Sequence, residues 1–209
     1  MSDTTPTAPN PAGMDPADLD DIAGILAFLR GAERLKDVLR TAHTASGRTE
    51  STAEHSWRLC LWALLLADRF GEIDRTRLLE ICIVHDLGEA IRGDIPAIHQ
   101  AGRPGKAAEE RADLATLAAP LPDRLAKKIL ALWDEYEAAA TPEARIAKGL
   151  DKLETILQHN QGLNPADFDY AFNLGYARQA TDRVPLISAI RAILDEDTKA
   201  HAGKSPSGA

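Results

Sequence analysis

Apolar residues recur three and four positions apart through most of this chain, the spacing of helices that bury one face. Between Asp18 and Leu39, the positions Ile22, Ile25, Leu26, Leu29, Leu35 and Leu39 predict one or two helices interrupted near Gly31. Arg40 to Glu50 is polar around Gly47 and reads as a loop. Ser51-Thr52-Ala53-Glu54 then forms a capping box, with Ser51 as N-cap and Glu54 at the third helical position. In the helix that follows, running to Phe70, His55, Leu59, Trp62 and Leu66 share one face, so His55 points inward from the first turn. Gly71 stops this helix and Asp74 caps the next, where Leu78, Cys82, His85 and Glu89 form a stripe with Asp86 beside it.

Gly93-Asp94-Ile95-Pro96 breaks the pattern, and Ile98 to Gly105 reads as a loop. Helical spacing returns over residues 106–118, 122–140, 142–161, 166–180 and 184–195, with Asp123 and Thr141 as starts of the second and third. There is no strand-like alternation, internal repeat, glycine-rich phosphate loop or Cys-x-x-Cys pair. The pattern predicts an all-α fold, one globular bundle of roughly eight or nine helices over residues 17–197. Residues 1–16, polar and proline-bearing, and residues 198–209 read as disordered tails.

Composition narrows the partners. A chain of 209 residues with 44% hydrophobic and 27% charged content suits one soluble domain. A net charge of −8 offers no general attraction for nucleic acid or anionic membranes, so neither is expected as a partner. No apolar run approaches the ~20 residues of a bilayer span, and the N-terminal stretch lacks the apolar segment of a signal peptide. Cys60 and Cys82 lie in apolar helical patterns and read as small buried hydrophobes in a reducing compartment, so a cytoplasmic location is expected.

The unusual stretch runs from Ile81 to Asp94, an apolar segment that ends in His85, Asp86, Glu89, Arg92 and Asp94. Burying such groups is costly, on the order of several kcal/mol, unless a metal or a hydrogen-bond network receives them. A divalent metal takes neutral imidazoles and carboxylates. His55 and His85-Asp86 meet that need if their two helices face each other. The positive end of its helix disfavours protonation of His55, keeping the imidazole available. Asp151 is the candidate fourth ligand, yet Ile146, Leu150, Leu153 and Leu157 form the apolar stripe of its helix, and spacing alone puts Asp151 on a solvated face. Taken singly, His43, His99, His159 and His201 read as structural or exposed, and Trp57, Trp62 and Trp133 as core or subunit contacts. Arg40 has a local reading as a partner of Asp37, and Lys106 to Arg111 one as a solvated helix face.

Four stretches, taken together and in order, carry a resemblance. They are Arg48-Thr49-Glu50-Ser51-Thr52-Ala53-Glu54-His55-Ser56, His85-Asp86-Leu87-Gly88-Glu89 with Gly93-Asp94-Ile95-Pro96, Leu132-Trp133-Asp134-Glu135-Tyr136-Glu137, and Asp151-Lys152-Leu153-Glu154. The chain resembles the HD-domain metal-dependent phosphohydrolases, most closely the 5′-deoxynucleotidase type, from Leu26 to Gln161. The resemblance implies a metal held by His55, His85, Asp86 and Asp151, reversing the spacing-based reading of Asp151. One divalent transition metal is expected (Mn, Co, Fe, Ni, Cu or Zn), with room for a second cation near Glu89 and Asp94. Glu89 and Asp94 are implied as the catalytic acidic pair, and Arg40 as a substrate-binding group near phosphate and sugar. Bacterial members follow that arginine with tryptophan, where this chain has Thr41, which leaves the choice between deoxyribose and ribose open. The implied reaction is hydrolysis of 5′-deoxyribonucleoside monophosphates to deoxyribonucleoside and phosphate, with a small-molecule nucleotide as partner and a homodimer as the assembly. Alternatives are a phosphodiesterase or nucleoside triphosphate hydrolase on the same site, or a non-catalytic helical nucleotide-binding protein.

Overall fold

A computed structural model describes residues 15–94 and 105–203. Asp15 caps the first helix, its carboxylate accepting from the backbone N–H of Ala17 at 3.0 Å, and Pro16 sets the helical φ at the first position. Helix α1 (Pro16–Ala32) passes into a 3₁₀ turn (Glu33–Lys36), and strands β1 (Leu39–His43) and β2 (Thr49–Ser51) pair antiparallel before α2 (Thr52–Leu66). There follow α3 (Arg75–Val84), α4 (Glu89–Arg92), α5 (Lys106–Ala118) and α6 (Asp123–Ala138), then α7 (Pro142–Gln161), α8 (Tyr170–Gly175), α9 (Arg178–Thr181) and α10 (Pro185–Ala202). The class is all-α, as expected, and among the described residues α4 and α9 are single turns of four residues.

Helix α7 organises the bundle. It packs against α2, α3, α6, α9, α10 and β1, and it is buried around its whole circumference rather than along one stripe. Leu150, Leu153 and Ile156 on α7 join Leu59, Leu78, Ile81, Cys82, Leu114 and Ile187 in a core that excludes solvent fully. Each such leucine or isoleucine contributes about 1.5–3 kcal/mol relative to exposure. Fully buried Arg191 of α10 ties the C-terminal segments to this core, donating from Nε to Asp195 at 2.7 Å and from Nη1 to the carbonyl of Tyr176 at 2.8 Å.

The structure corrects several expectations. Arg40 to Glu50 is not a loop but contains the β1–β2 hairpin, whose turn closes through Thr44 N–H to Arg48 O at 2.7–Å range, with Gly47 at a left-handed φ of 84°. Its strands are too short, and their register too irregular, to leave an alternating signature. The end of α7 grips this hairpin: Gln158 donates to the carbonyl of His43, and a Cβ on Gly162 would stand 2.2 Å from that same oxygen. Helix α3 stops at Val84 instead of continuing through Glu89, and His85 to Gly88 form a tight turn. Gly88 lies close against α5, where a Cβ would meet the Glu110 carbonyl oxygen at 2.8 Å. The helix expected over 166–180 is broken at Ala177, whose φ is 54°, into α8 and α9. Helix α10 runs on to Ala202, because buried Thr198 donates to Asn160 at 2.9 Å, so a tail does not begin at 198. Residues 1–14 and 204–209, and with them most of the expected tails, lie outside the described residues, as do Ile98 to Pro104 and His99.

Candidate metal centre and its cavity

The capping box at the start of α2 forms as its sequence predicts. Glu54 N–H donates to Ser51 Oγ at 3.3 Å, and Ser51 N–H donates back to Glu54 Oε2 at 2.9 Å. Arg48 holds the same glutamate through two bonds of 3.0 and 2.6 Å. With the helix start fixed, His55 enters the interior from the first turn and is wholly buried. His85 and Asp86 reach the same point from the turn after α3, and Asp151 from the middle of α7. His55 Nε2 lies 3.2 Å from Asp151 Oδ1 and 3.8 Å from Asp86 Oδ2, and His85 Nε2 lies 2.9 Å from Asp86 Oδ2. Ligand atoms of His55, His85 and Asp86 all fall within 4.8 Å of one another.

The tautomers follow from the partners. His85 Nδ1 lies 2.9 Å from the carbonyl of Cys82, which can only accept, so Nδ1 carries the hydrogen. His55 Nδ1 is bonded to Glu154, itself fully buried and held by Arg58 Nε at 2.7 Å. In its neutral form each imidazole therefore turns the Nε2 lone pair to the carboxylates, and both Nε2 atoms are buried without a hydrogen-bond partner. Lone pairs facing anionic oxygens are repulsive unless a cation or a proton lies between them, and two imidazoles with two carboxylates are a donor set for a divalent transition metal. Burial and Arg40 oppose a charge on His55, but Glu154 and Asp151 outweigh them and push it up to about 10. A cation and that proton compete for the same lone pair.

Asp151 is 4% exposed, so the solvated-face reading from spacing is overturned. A stripe argument fails on a helix that is covered on every side. Its Oδ2 accepts from Tyr136 Oη at 2.6 Å and pairs with Lys152 Nζ at 2.8 Å, which leaves Oδ1 turned to His55. Burial opposes the charge on Asp151 and on Asp86. For Asp151 the neighbouring Lys152 and His55, and for Asp86 the neighbouring His85, still hold the carboxyl below the usual range.

His85, Asp86 and Asp151 open into a cavity of about 350 Å³ that also takes in Arg40, Glu89 and Asp94. Arg40 does not pair with Asp37; β1 aims it inward, 3.4 Å from Glu50 and 3.8 Å from Asp86, with Nη2 donating to Thr155 at 3.1 Å. Glu89 accepts from Thr52 Oγ1 at 3.0 Å rather than binding Arg92, which pairs with Asp113 at 3.0 Å. Burial, then the charges of Asp86 and Asp94, push Glu89 up to about 9, so it is protonated at neutral pH. Burial also raises Asp94, which is hydrogen-bonded to Glu89. Six of the seven residues singled out in the sequence thus line one cavity, and His55 stands behind it, its Nε2 3.2 Å from Asp151 and 3.8 Å from Asp86. Sequence reasoning missed Glu154 behind His55, Tyr136 and Lys152 behind Asp151, and the Lys106–Glu110 pair (3.0 Å) at the cavity wall. Glu154, Tyr136 and Lys152 lie inside the matching stretches, so their signal was present without an assigned role. The Lys106–Glu110 pair has the expected i,i+4 spacing but is only partly exposed, not a solvated face.

An all-α protein whose imidazoles and carboxylates converge from three helical segments belongs to the class of helical proteins built around a metal site. The chain is a member of the HD-domain family, whose family model matches residues 32–191. The 5′-deoxynucleotidase HDDC2 of Xenopus laevis is 35% identical over 136 residues, 64% of this chain and 67% of that protein. The 5′-deoxynucleotidase hdd1 of Schizosaccharomyces pombe is 36% identical over 140 residues, 64% of this chain and 70% of that one. Among solved structures, a "predicted metal-dependent phosphohydrolase" from Magnetospirillum magnetotacticum superposes with a TM-score of 0.77 at 28% identity, covering 92% of this chain and 100% of that one.

Proposed function

We propose that this chain is a metal-dependent 5′-deoxynucleotidase that releases phosphate from deoxyribonucleoside 5′-monophosphates. The observation that carries the reading is the pair of buried, unpartnered Nε2 atoms of His55 and His85 facing Asp86 and Asp151. Its similarity to named 5′-deoxynucleotidases supports the substrate class. His55, His85, Asp86 and Asp151 would hold one divalent transition metal, and the acidic Glu89–Asp94 corner of the cavity suits a second cation. When bound, such a metal supplies a water of lowered pKa and polarises a phosphate oxygen.

The remaining roles belong to side chains. Asp94, facing the same cavity, orients the attacking water and accepts its proton. Glu89, protonated at neutral pH, delivers a proton to the departing 5′-oxygen. Arg40 and Lys152 bring fixed positive charge to the cavity, offsetting charge on the phosphoryl oxygens. The free thiols Cys60 and Cys82 accord with a reducing, cytoplasmic setting. Exposed Leu64 and Leu65 on α2 and Ile83 on α3 favour a homodimer through that face. None of the described helices is long and apolar enough to cross a membrane.

The deciding experiment is a phosphate-release screen of ribo- and deoxyribonucleoside monophosphates against Mn, Fe, Co, Ni, Cu and Zn. Orthophosphate and deoxynucleoside as products support the proposal. No turnover of any monophosphate, with hydrolysis seen only when nucleoside triphosphates or phosphodiesters are offered instead, moves the chain to another HD chemistry.

A further inference from the structure

A second cavity, of about 280 Å³, lies on the other side of the Glu137–Lys148 pair from the metal cavity, and these two residues line both. Lys148 Nζ is already engaged, donating to the carbonyl of Glu137 at 2.9 Å and to its carboxylate at 3.1 Å. The single acid of the second cavity is therefore answered by the lysine. Arg145, from the first turn of α7, and Arg183, from the segment before α10, also line it. Among the described residues neither arginine has an ion-pair or hydrogen-bond partner. In a chain of net charge −8, two unanswered guanidiniums sharing one cavity form a local field opposite to that of the whole molecule.

The walls add a second observation. Ala139 and Ala177, which end α6 and separate α8 from α9, both line the cavity and both adopt left-handed backbone, at φ 47° and 54°. That conformation costs an L-residue about 1–2 kcal/mol. Here it brings two small side chains to the same cavity wall as the arginines, with Gln179 also lining it. Two guanidiniums and an amide lining one cavity, whose one carboxylate is held by Lys148, suit a phosphate group, which arginine grips through two parallel bonds.

We propose that this cavity is a second anion site, for the phosphate group of a small molecule, separate from the metal centre and joined to it by Lys148. That this junction tunes substrate turnover rests on the function proposed above; binding at the second cavity does not. The test is calorimetric titration of the full chain, without added divalent metal, with tripolyphosphate, orthophosphate and a deoxyribonucleoside triphosphate. Tripolyphosphate is expected to bind the wild type and to bind Asp86→Ala equally well. The loss expected is about tenfold for each arginine removed in Arg145→Ala and Arg183→Ala, the worth of a charge-assisted hydrogen bond. Arg183 is exposed, so Arg183→Ala alone carries the comparison should Arg145→Ala melt early. The other two ligands assign the source: tighter binding of the nucleotide than of tripolyphosphate points to a nucleotide, equal binding to phosphate alone. No binding to the wild type, unchanged binding to the arginine variants, or loss of binding in Asp86→Ala overturns the proposal. Binding of this kind in a chain that hydrolyses no nucleotide leaves the second site standing and removes the proposed activity instead.

Discussion

Glu154 and His55, 99 positions apart in sequence, meet at zero exposure with the carboxylate against Nδ1 of the imidazole. The contact sets the tautomer: with Nδ1 committed to Glu154, His55 turns Nε2 to Asp86 and Asp151. Glu154→Ala should therefore weaken metal affinity by about 10- to 100-fold, as loss of a carboxylate behind a ligating histidine does. It also leaves Arg58 without its buried partner, so stability should fall by on the order of 3–5 kcal/mol. Glu154→Gln keeps an acceptor and should lie between. Metal titration by calorimetry and denaturant unfolding measure the two effects separately, and an alanine variant with wild-type metal affinity would show that His55 is not so positioned.

Asp86 differs from Glu154 in standing at the cavity wall, with 19% of its side chain exposed and, beyond the two histidines, only Arg40 near it at 3.8 Å. Asp86→Ala is expected to keep the fold. It should lower kcat by about a thousandfold, the worth of several kcal/mol of charge stabilisation at phosphorus. Circular dichroism and phosphate release check the two halves of this statement. Full turnover by the folded variant would remove Asp86 from the metal site.

The two histidines of the candidate site were legible because α2 and α3 each bury one face, so His55 and His85 stood out by position within a stripe. Asp151 was not legible that way. Its helix is surrounded by α2, α3, α6, α9, α10 and β1, and on such a helix an off-stripe position is as buried as any other. Only the resemblance of Asp151-Lys152-Leu153-Glu154 placed it in the site. The β1–β2 hairpin escaped notice because three- and five-residue strands with a register shift leave no alternation, although that hairpin is what turns Arg40 inward. Long-range partners such as Tyr136 for Asp151 depend on how α6 crosses α7, which no local pattern encodes.

Arg40 has two jobs that mutation can separate. It lies 3.4 Å from Glu50, a carboxyl 3% exposed that burial and Glu154 push up to about 7. It also lines the cavity beside Asp86. Arg40→Ala should both destabilise the protein and raise KM for nucleoside monophosphates by about tenfold, the loss of one charged hydrogen bond. Adding Glu50→Gln removes the stranded acid and should restore much of the stability while leaving KM high. If KM recovers together with stability, Arg40 is structural and does not touch the phosphate.

The carboxyl of Glu89 gives the site its pH signature. Burial first, then Asp86 and Asp94, move it from 4.5 up to about 9 in the folded protein. Between those values the native state keeps a proton that the unfolded chain has released, so raising the pH through that window favours unfolding. Below it both states are protonated and the contribution is constant. Metal-free protein should thus lose stability steadily from about pH 5 to about pH 9. Glu89→Gln, uncharged throughout, should flatten that slope and melt at a higher temperature than wild type at pH 8. The same variant has no proton to give a leaving group, so kcat should drop by about 10²- to 10⁴-fold, and the alkaline limb of the pH–rate profile should disappear. Thermal melts across pH together with pH–rate profiles decide the matter: a variant that gains stability yet retains wild-type kcat would assign Glu89 to the architecture of the cavity and pass the proton transfer to another group.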